Sequence, residues 1–477
     1  FLSFNSFLEG YIMFRIVNFF RFKYMTYLSI MIFMLLSEAS AQSLNSSLAN
    51  AYTNHPLLAS ERSEERVVTE DIAEALAGWK PVVYLDASIG KSLDTTKTNT
   101  TSKTNSNLPI SMGVVLEQKI YDAGKTNQNI KIANANFEMS KSKLMMIENE
   151  VLLQAAIAYF DLLKELDLLS IAKKNKEVIN RQLEATKDRF DVGDLTITDV
   201  SQAEARLSDA SANLVKAEAD LNSAKAIFFS DTGLEAEDIF YPEAMPVIPL
   251  NLQGIMESVK SGNANIAFAR KNKDLAEEEL KLVLKEMSMT VDFKARANQA
   301  YDPNTFFEEQ RYFDVSANMK LPLYKGGKDK ANIRKYREKI IKSNSNISNI
   351  LREESEKAMI IWNKIQSLNS QVISFKASIL ANEIALEGVV QEENVGARTV
   401  LDVLDAENEL FRAKANLIKA NTSLYIATYQ IIEVTGNMNA KYLNLPVTTF
   451  HDSNKYYNKV KGLSAEGKSI LDILNIN

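Results

Sequence analysis

Apolar residues along this chain follow two rhythms, and the switches between them divide it. After Pro81, Val83, Leu85, Ala87 and Ile89 alternate with Tyr84, Asp86, Ser88 and Gly90. Beyond a polar loop from Lys91 to Asn107, Ile110, Met112, Val114 and Leu116 alternate with Ser111, Gly113, Val115 and Glu117. The pattern returns later: Met289, Val291, Phe293, Ala295 and Ala297 alternate with Thr290, Asp292, Lys294, Arg296 and Asn298, and Phe313, Val315, Ala317, Met319 and Leu321 with Asp314, Ser316, Asn318 and Lys320. A period of two predicts two hairpins of roughly ten-residue strands, apolar on one face and polar on the other. Elsewhere the spacing is three and four. Ile147, Val151, Leu152, Ala155, Ala158, Tyr159, Leu162 and Leu163 form one stripe, and Ala358, Ile361, Trp362, Ile365, Leu368 and Val372 another. Such stripes predict long helices packed side by side in coiled-coil or helical-barrel fashion.

Glycines punctuate the helices at repeated distances. Gly124 to Gly193 and Gly327 to Gly396 are both 69 residues, about 100 Å of helix, and the returning segments Gly193 to Gly233 and Gly396 to Gly436 are both 40, about 60 Å. Ser43 to Gly78, broken at Asn54-His55-Pro56 because the residue before proline leaves the α region, and Leu252 to Lys285 are of a length to extend the returning helices. His55 reads as a cap or turn residue.

The two halves are copies. Asp191 to Leu207 and Asn394 to Leu410 share V-G-x-x-T-x-x-D-V-x-x-A-E-x-x-L at an offset of 203 residues. The same offset relates Tyr121-Asp-Ala-Gly-Lys to Tyr324-Lys-Gly-Gly-Lys, Tyr159 to Trp362, and Gly233 to Gly436. An insertion inside a packed helix would turn every later side chain off its face, so a register held this long indicates an internal duplication.

Strands of this length, alternating apolar with charged, suit a transmembrane barrel with lipid outside and water inside. A half-buried sheet in a soluble domain would alternate in the same way. Four strands cannot close a barrel and eight enclose only side chains, so a pore calls for at least three copies giving four strands each. Composition narrows the chemistry. The net charge is −6, without the basic field that nucleic acid requires. There is no cysteine, hence no disulfide, thiolate or lipidated cysteine, and the two histidines, His55 and His451, lie at opposite ends. No metal or cofactor site, Gly-rich phosphate loop or nucleophile motif stands out, so an enzyme is not expected.

Before the helices, Arg21-Phe-Lys23, the apolar run Met25 to Leu36 and Ala39-Ser40-Ala41 read as a secretory signal peptide cleaved before Gln42. A retained span is the alternative, but a dozen residues fall short of the roughly 20 a bilayer needs. Residues 1–12 read as an over-extended frame, with Met13 or Met25 as the start. The expected division is a signal peptide over 1–41, a helical segment over 42–80, a β-hairpin over 81–120, and helices over 121–288 with a tip near 193. A second β-hairpin over 289–324, helices over 325–436 with a tip near 396, and a loosely held tail over 437–477 complete it.

The duplicated strand-to-helix corner (Tyr121 to Lys125, Tyr324 to Lys328), the duplicated tip and the hairpins ahead of the long helices resemble the TolC family of outer-membrane channel proteins, from Gln42 to about Leu445. The resemblance implies a protomer dominated by helix and internally duplicated. Three such protomers would form a homotrimer, with a 12-stranded β-barrel in outer-membrane lipid continued by a periplasmic α-helical barrel. It implies two further partners, a periplasmic adaptor (membrane fusion) protein and an inner-membrane ABC or proton-driven transporter, and no enzymatic role. Type I protein secretion and drug efflux are both open. The lack of a lipidated cysteine disfavours the lipoprotein efflux branch, and the Leu401 to Leu410 run resembles secretion-type members as well as multifunctional ones, which tilts the reading slightly toward protein secretion. A periplasmic adaptor is a rival of another class, but it would carry one helical hairpin, a Gly-rich lipoyl-like domain and no barrel strands.

The resemblance also carries site residues. Asp402 and Asp405 would ring the pore constriction, where converging carboxylates attract cations and raise one another's pKa; alternatively they are first-turn acids favoured by a helix N-terminus. Arg398 would latch the tip against Thr198 and Asp199. Glu393 stands where a relative has tyrosine and would repel Asp199, which puts a second latch in doubt. Gly193 and Gly396 would make the tip turns, with Val192, Leu195 and Val395 and the pairs Ala203-Glu204 and Ala406-Glu407 as the adaptor-docking surface. Tyr121, Gly124, Tyr324 and Gly327 would shape the strand–helix corners.

Overall fold

The computed structural model describes residues 42–249, 251–304 and 307–466. The expected signal peptide and the last eleven residues of the tail lie outside them. Fifteen elements run in chain order through the described residues: α1 Leu44–Asn54, α2 Pro56–Ala77, β1 Val82–Ile89, β2 Ser92–Lys97, β3 Ser102–Asn107, β4 Ile110–Tyr121, α3 Lys125–Asp191, α4 Ile197–Thr232, α5 Leu252–Gly262, α6 Ala264–Lys285, β5 Thr290–Asn304, β6 Phe307–Lys320, α7 Lys328–Asn394, α8 Val400–Val434 and α9 Ser453–Glu466.

Strands β1-β4-β5-β6 form one antiparallel sheet in that order, open at both edges. Register explains the two-residue rhythm. Leu85 lies opposite Val114, Val114 opposite Ala297, and Ala297 opposite Phe313; one residue along, Tyr84, Val115, Arg296 and Asp314 align in the same way. Over the alternating segments apolar residues therefore share one face across all four strands and charged residues the other, and toward the β5–β6 turn Gln299, Arg311 and Glu309 continue the apolar face as polar groups. The apolar face is uncovered in the single chain, with Phe313 at 72% exposure. Opposite it, Glu117 accepts from Lys294 at 2.7 Å and from Tyr84 at 2.9 Å.

Two expectations about this region are corrected. The polar stretch Lys91 to Asn107 is not a plain loop but contains the β2–β3 ribbon, paired from Ser92–Asn107 to Lys97–Ser102. Apart from the exposed Leu93 both its faces are polar, and hydroxyl pairs such as Thr95 with Thr104 at 3.0 Å take the place of apolar cross-strand contacts. Strands β5 and β6 also run past the alternating segments, to Asn304 and back to Phe307.

The long helices α3 and α7 have 67 residues each, about 100 Å. Each is flanked by a return helix and a broken helix. His55 separates α1 from α2, its side chain accepting from the Leu57 N–H; Asn263 separates α5 from α6 and accepts from the Ile266 N–H. The broken helices meet the ends of the return helices. Asn50 donates to the Thr232 carbonyl at 2.6 Å, and Asn263 to the Val434 carbonyl at 2.9 Å and to Glu354 at 2.9 Å. The largest core cluster surrounds Tyr159, whose hydroxyl lies between the carbonyls of Gln42 and Phe240, and brings in Phe160, Phe228 and Tyr429 from three helices.

The tail over 437–466 is docked rather than loosely held. Tyr457 stacks on Phe137 with ring centroids 4.9 Å apart, Tyr456 donates to Glu70, His451 Nε2 lies 2.6 Å from the buried Glu65, and Val460 is buried. Its anchors are isolated aromatic and polar residues without a periodic stripe.

Candidate functional site at the hairpin tips

The α3–α4 and α7–α8 turns are built alike. After α3, Val192 and Gly193 (φ 84°) reverse the chain, and the Asp194 N–H donates to the Arg189 carbonyl at 2.9 Å. After α7, Val395 and Gly396 (φ 75°) do the same, and the Ala397 N–H donates to the Glu392 carbonyl at 2.8 Å. Positive φ is what a residue without Cβ adopts readily. Each return helix opens with a capping box in which the threonine side chain accepts from the N3 backbone and the N3 aspartate returns the bond. Thr196 pairs so with Asp199, whose Oδ2 receives the Thr196 N–H at 2.9 Å and hydroxyl at 2.7 Å. Thr399 pairs with Asp402 at 2.9 and 2.8 Å. The bonds from Thr196, first its hydroxyl and then its N–H, hold Asp199 below the ordinary carboxylate range; those from Thr399, first the N–H, do the same for Asp402.

Charge distinguishes the tips. In the first, Arg189 donates to Asp194 at 2.9 Å; in the second, Arg398 donates to Glu392 at 2.9 Å and lies 3.9 Å from Asp402. Glu392 occupies the position equivalent to Arg189. Two pairs join the hairpins, Arg189 with Glu393 and Arg206 with Asp405. Glu393 is buried at 6% exposure, so Arg189 supplies its countercharge. Beneath these pairs Ile179, Leu183, Val200, Ala203 and Ala210 pack with Val400 and Leu404, and Leu195 rests against them.

The site residues expected at the tips thus fall into three groups. Asp402 and Asp405 lie one turn apart at the start of α8, the first tied into its cap and the second paired with Arg206. Within one chain Arg398 stays with its own turn, and Thr198, exposed, and Asp199 are not brought to it. Val192 and Val395 are bare, at 81% and 80% exposure, whereas Ala203 is fully buried in the tip core and is withdrawn from the docking surface. Glu204 is paired with Lys187 at 2.8 Å, and burial pushes the Glu407 carboxyl up. Arg189 and Arg206 were missed; the partners they meet across the two hairpins, Glu393 and Asp405, are about two hundred residues away and no local pattern marks them.

The corners at the other end of the long helices also repeat. Ala123 and Gly124 are both left-handed, as are Gly326 and Gly327. At the first corner Asp122 receives the N–H groups of Gly124, Lys125 and Thr126; at the second the equivalent residue is Lys325, and no such cap forms. Tyr324 is 86% exposed, Tyr121 48%.

Comparison with known proteins agrees with this architecture. The family model for outer membrane efflux protein matches residues 47–227 and 255–437, one match in each half. Outer membrane efflux protein BepC of Brucella suis biovar 1 is 26% identical over 419 residues, covering 88% of this chain and 90% of the relative. Outer membrane protein TolC of Escherichia coli K12 is 25% identical over 361 residues, covering 68% and 71%. Among solved structures, the CmeC outer membrane channel of Campylobacter jejuni superposes with a TM-score of 0.74 at 13% identity, over 87% of this chain and 89% of that one, and so shares the fold.

Proposed function

Because the chain belongs to the outer membrane efflux protein family, in its TolC-like branch, we propose that it works as a homotrimeric exit duct, type I protein secretion and drug efflux being the two services open to it. The protein is an outer-membrane channel, and its family is one of channels rather than enzymes. The four-stranded sheet supports the trimer best: its apolar face spans all four strands in register, and its edges at β1 and β6 are unpaired. An exposed edge beside an apolar face is unstable alone. Pairing β6 of one copy with β1 of the next removes every edge, and three copies give twelve strands around a polar lumen.

In this reading residues 81–120 and 289–324 form the barrel, and α3–α4 and α7–α8 form a helical tunnel across the periplasm. Asp402 and Asp405 stand as acidic rings near its narrow end. Arg398, fixed by Glu392 within its own chain, faces Thr198 and Asp199 of the neighbouring copy as a latch. Val192 and Val395, with Gly193 and Gly396, present the bare apolar tips to a periplasmic adaptor, which couples the duct to an inner-membrane ABC or proton-driven transporter. The test is reconstitution of purified protein into planar bilayers. Cation-selective steps from a heat-modifiable trimer are expected, and a water-soluble monomer without conductance overturns the reading.

A further inference from the structure

The two strand–helix corners are copies in backbone but not in charge. Between 325 and 342 the chain carries eight Lys or Arg and two acids; between 122 and 139, the equivalent stretch, it carries two of each. A chain of net charge −6 therefore gathers a strong positive field into the first turns of one helix, directly below a membrane strand.

The cations lie on two flanks of α7. Lys328, Lys335, Lys339 and Lys342 fall at i, i+7, i+11 and i+14 on the flank toward α6, where Lys339 bonds Glu279. Lys330, Arg334, Arg337 and Ile341 fall at i, i+4, i+7 and i+11 on the other flank, and all are exposed. Among the described residues, Lys330, Arg334 and Arg337 have no ion-pair partner. Just before them in the chain Leu323 and Tyr324 are bare at 89% and 86% exposure, following Met319 and Leu321 at the end of β6, which are also exposed. Apolar strand, exposed tyrosine and then arginine and lysine is the order in which a chain leaves lipid through an interface.

We propose that the flank formed by Lys330, Arg334 and Arg337, with Tyr324 above it, is a binding site for anionic phospholipid headgroups of the periplasmic leaflet. Tyr324 and Leu323 lie at the acyl boundary, and the guanidinium and ammonium groups take the headgroup phosphates through charge-assisted hydrogen bonds. The site rests on the outer-membrane reading and adds a lipid preference to it. Because the first corner lacks the cations and is closed by Asp122, each copy has one such site.

The test uses the full-length assembled protein in neutral detergent, titrated with phosphatidylglycerol or phosphatidylcholine, with bound lipid read by native mass spectrometry. Wild type is expected to retain phosphatidylglycerol preferentially, less so as salt rises. Lys330→Gln, Arg334→Gln and Arg337→Gln together should weaken it about a hundredfold, at about fivefold per cation, and Lys328→Gln, Lys335→Gln and Lys342→Gln together far less. Equal loss in both triple variants overturns the site, and so does equal competition by glycerol phosphate, which would mark a free-anion site. Dissociation into single copies with the lipid preference unchanged would assign the flank to a subunit contact instead. Failure to hold either lipid would defeat the outer-membrane reading itself, whereas insertion without headgroup preference defeats the lipid site alone.

Discussion

Glu393, buried at the foot of α7, is bonded to Arg189 at the foot of α3, and this pair ties the two hairpin tips of one chain together. Arg189→Leu leaves the carboxylate without its countercharge. Arg189 is about a third exposed, so the expected cost to the tip is modest, about 1–2 kcal/mol. It should appear as faster hydrogen exchange confined to the two turns. Arg189→Leu with Glu393→Leu should restore most of the protection, and a double variant no better than the single would mean that the pair does not couple the tips.

The twin capping boxes make a matched prediction. Thr196→Ala and Thr399→Ala should each destabilise the start of their helix by about 1 kcal/mol, and by similar amounts, because the bonds lost are the same. The pH dependence has a definite sign. Asp199 and Asp402 are held below the ordinary carboxylate value by their caps. The caps therefore contribute fully above about pH 4, the unfolded value, and are lost as pH falls through the lower folded value. Exchange at the first turns of α4 and α8, corrected for its intrinsic pH dependence, should rise only in that acid range; a rise near neutrality contradicts the assignment.

Conductance separates the two acids of α8. Asp402→Ala with Asp405→Ala should raise single-channel conductance and weaken block by multivalent cations. Asp405→Ala alone also frees Arg206, adding a bare positive charge, and should reduce cation selectivity more than Asp402→Ala alone. Unchanged conductance and block in the double variant would place both carboxylates away from the narrowest point.

Arg398 has a partner in its own turn and a proposed one in the next copy. Arg398→Ser should make cells permeable to large antibiotics, whereas Glu392→Gln, which removes only the nearer of its local partners, should not. Equal leak from both would reduce Arg398 to a local ion pair.

Gly436 and Gly233 are equivalent by sequence but not by surroundings. A Cβ on Gly436 would fall inside contact distance of the Gly262 carbonyl, while one on Gly233 would meet only the end of the Asn50 side chain at 3.3 Å. Both have positive φ, so Gly233→Ala should cost about 1 kcal/mol. Gly436→Ala must also displace backbone and should cost at least about 2 kcal/mol more, read as a lower denaturation midpoint. Equal midpoints would mean that the α5–α6 junction yields freely.

What was legible in the sequence was whatever repeats at short range. Val83 to Ile89 and Phe313 to Leu321 alternate, so the sheet faces could be read residue by residue, and the repeated V-G pattern marked both tip turns. Pairing across the chain was not legible. Arg189 meets Glu393 because distant helices lie side by side, and His451 meets Glu65 because the segment before α9 docks on α2. The β2–β3 ribbon escaped because serine, threonine and asparagine on both faces leave no amphipathic signal. The docking of 437–466 escaped because Tyr456 and Tyr457 are single anchors rather than a stripe. Arg398, Thr198 and Asp199 lie apart within one chain, and their proposed meeting belongs to the assembly.

The open edges of the sheet have a last consequence. Nothing in a head-to-tail junction between β6 and β1 counts subunits, since the same seam could be repeated indefinitely. The proposed ring would stop growing where strand twist and helix spacing bring the first seam round to the last. Calibre is then a property of curvature, and a substitution far from the lumen that flattens the layer would widen the bore and raise the size of the largest cargo that fits.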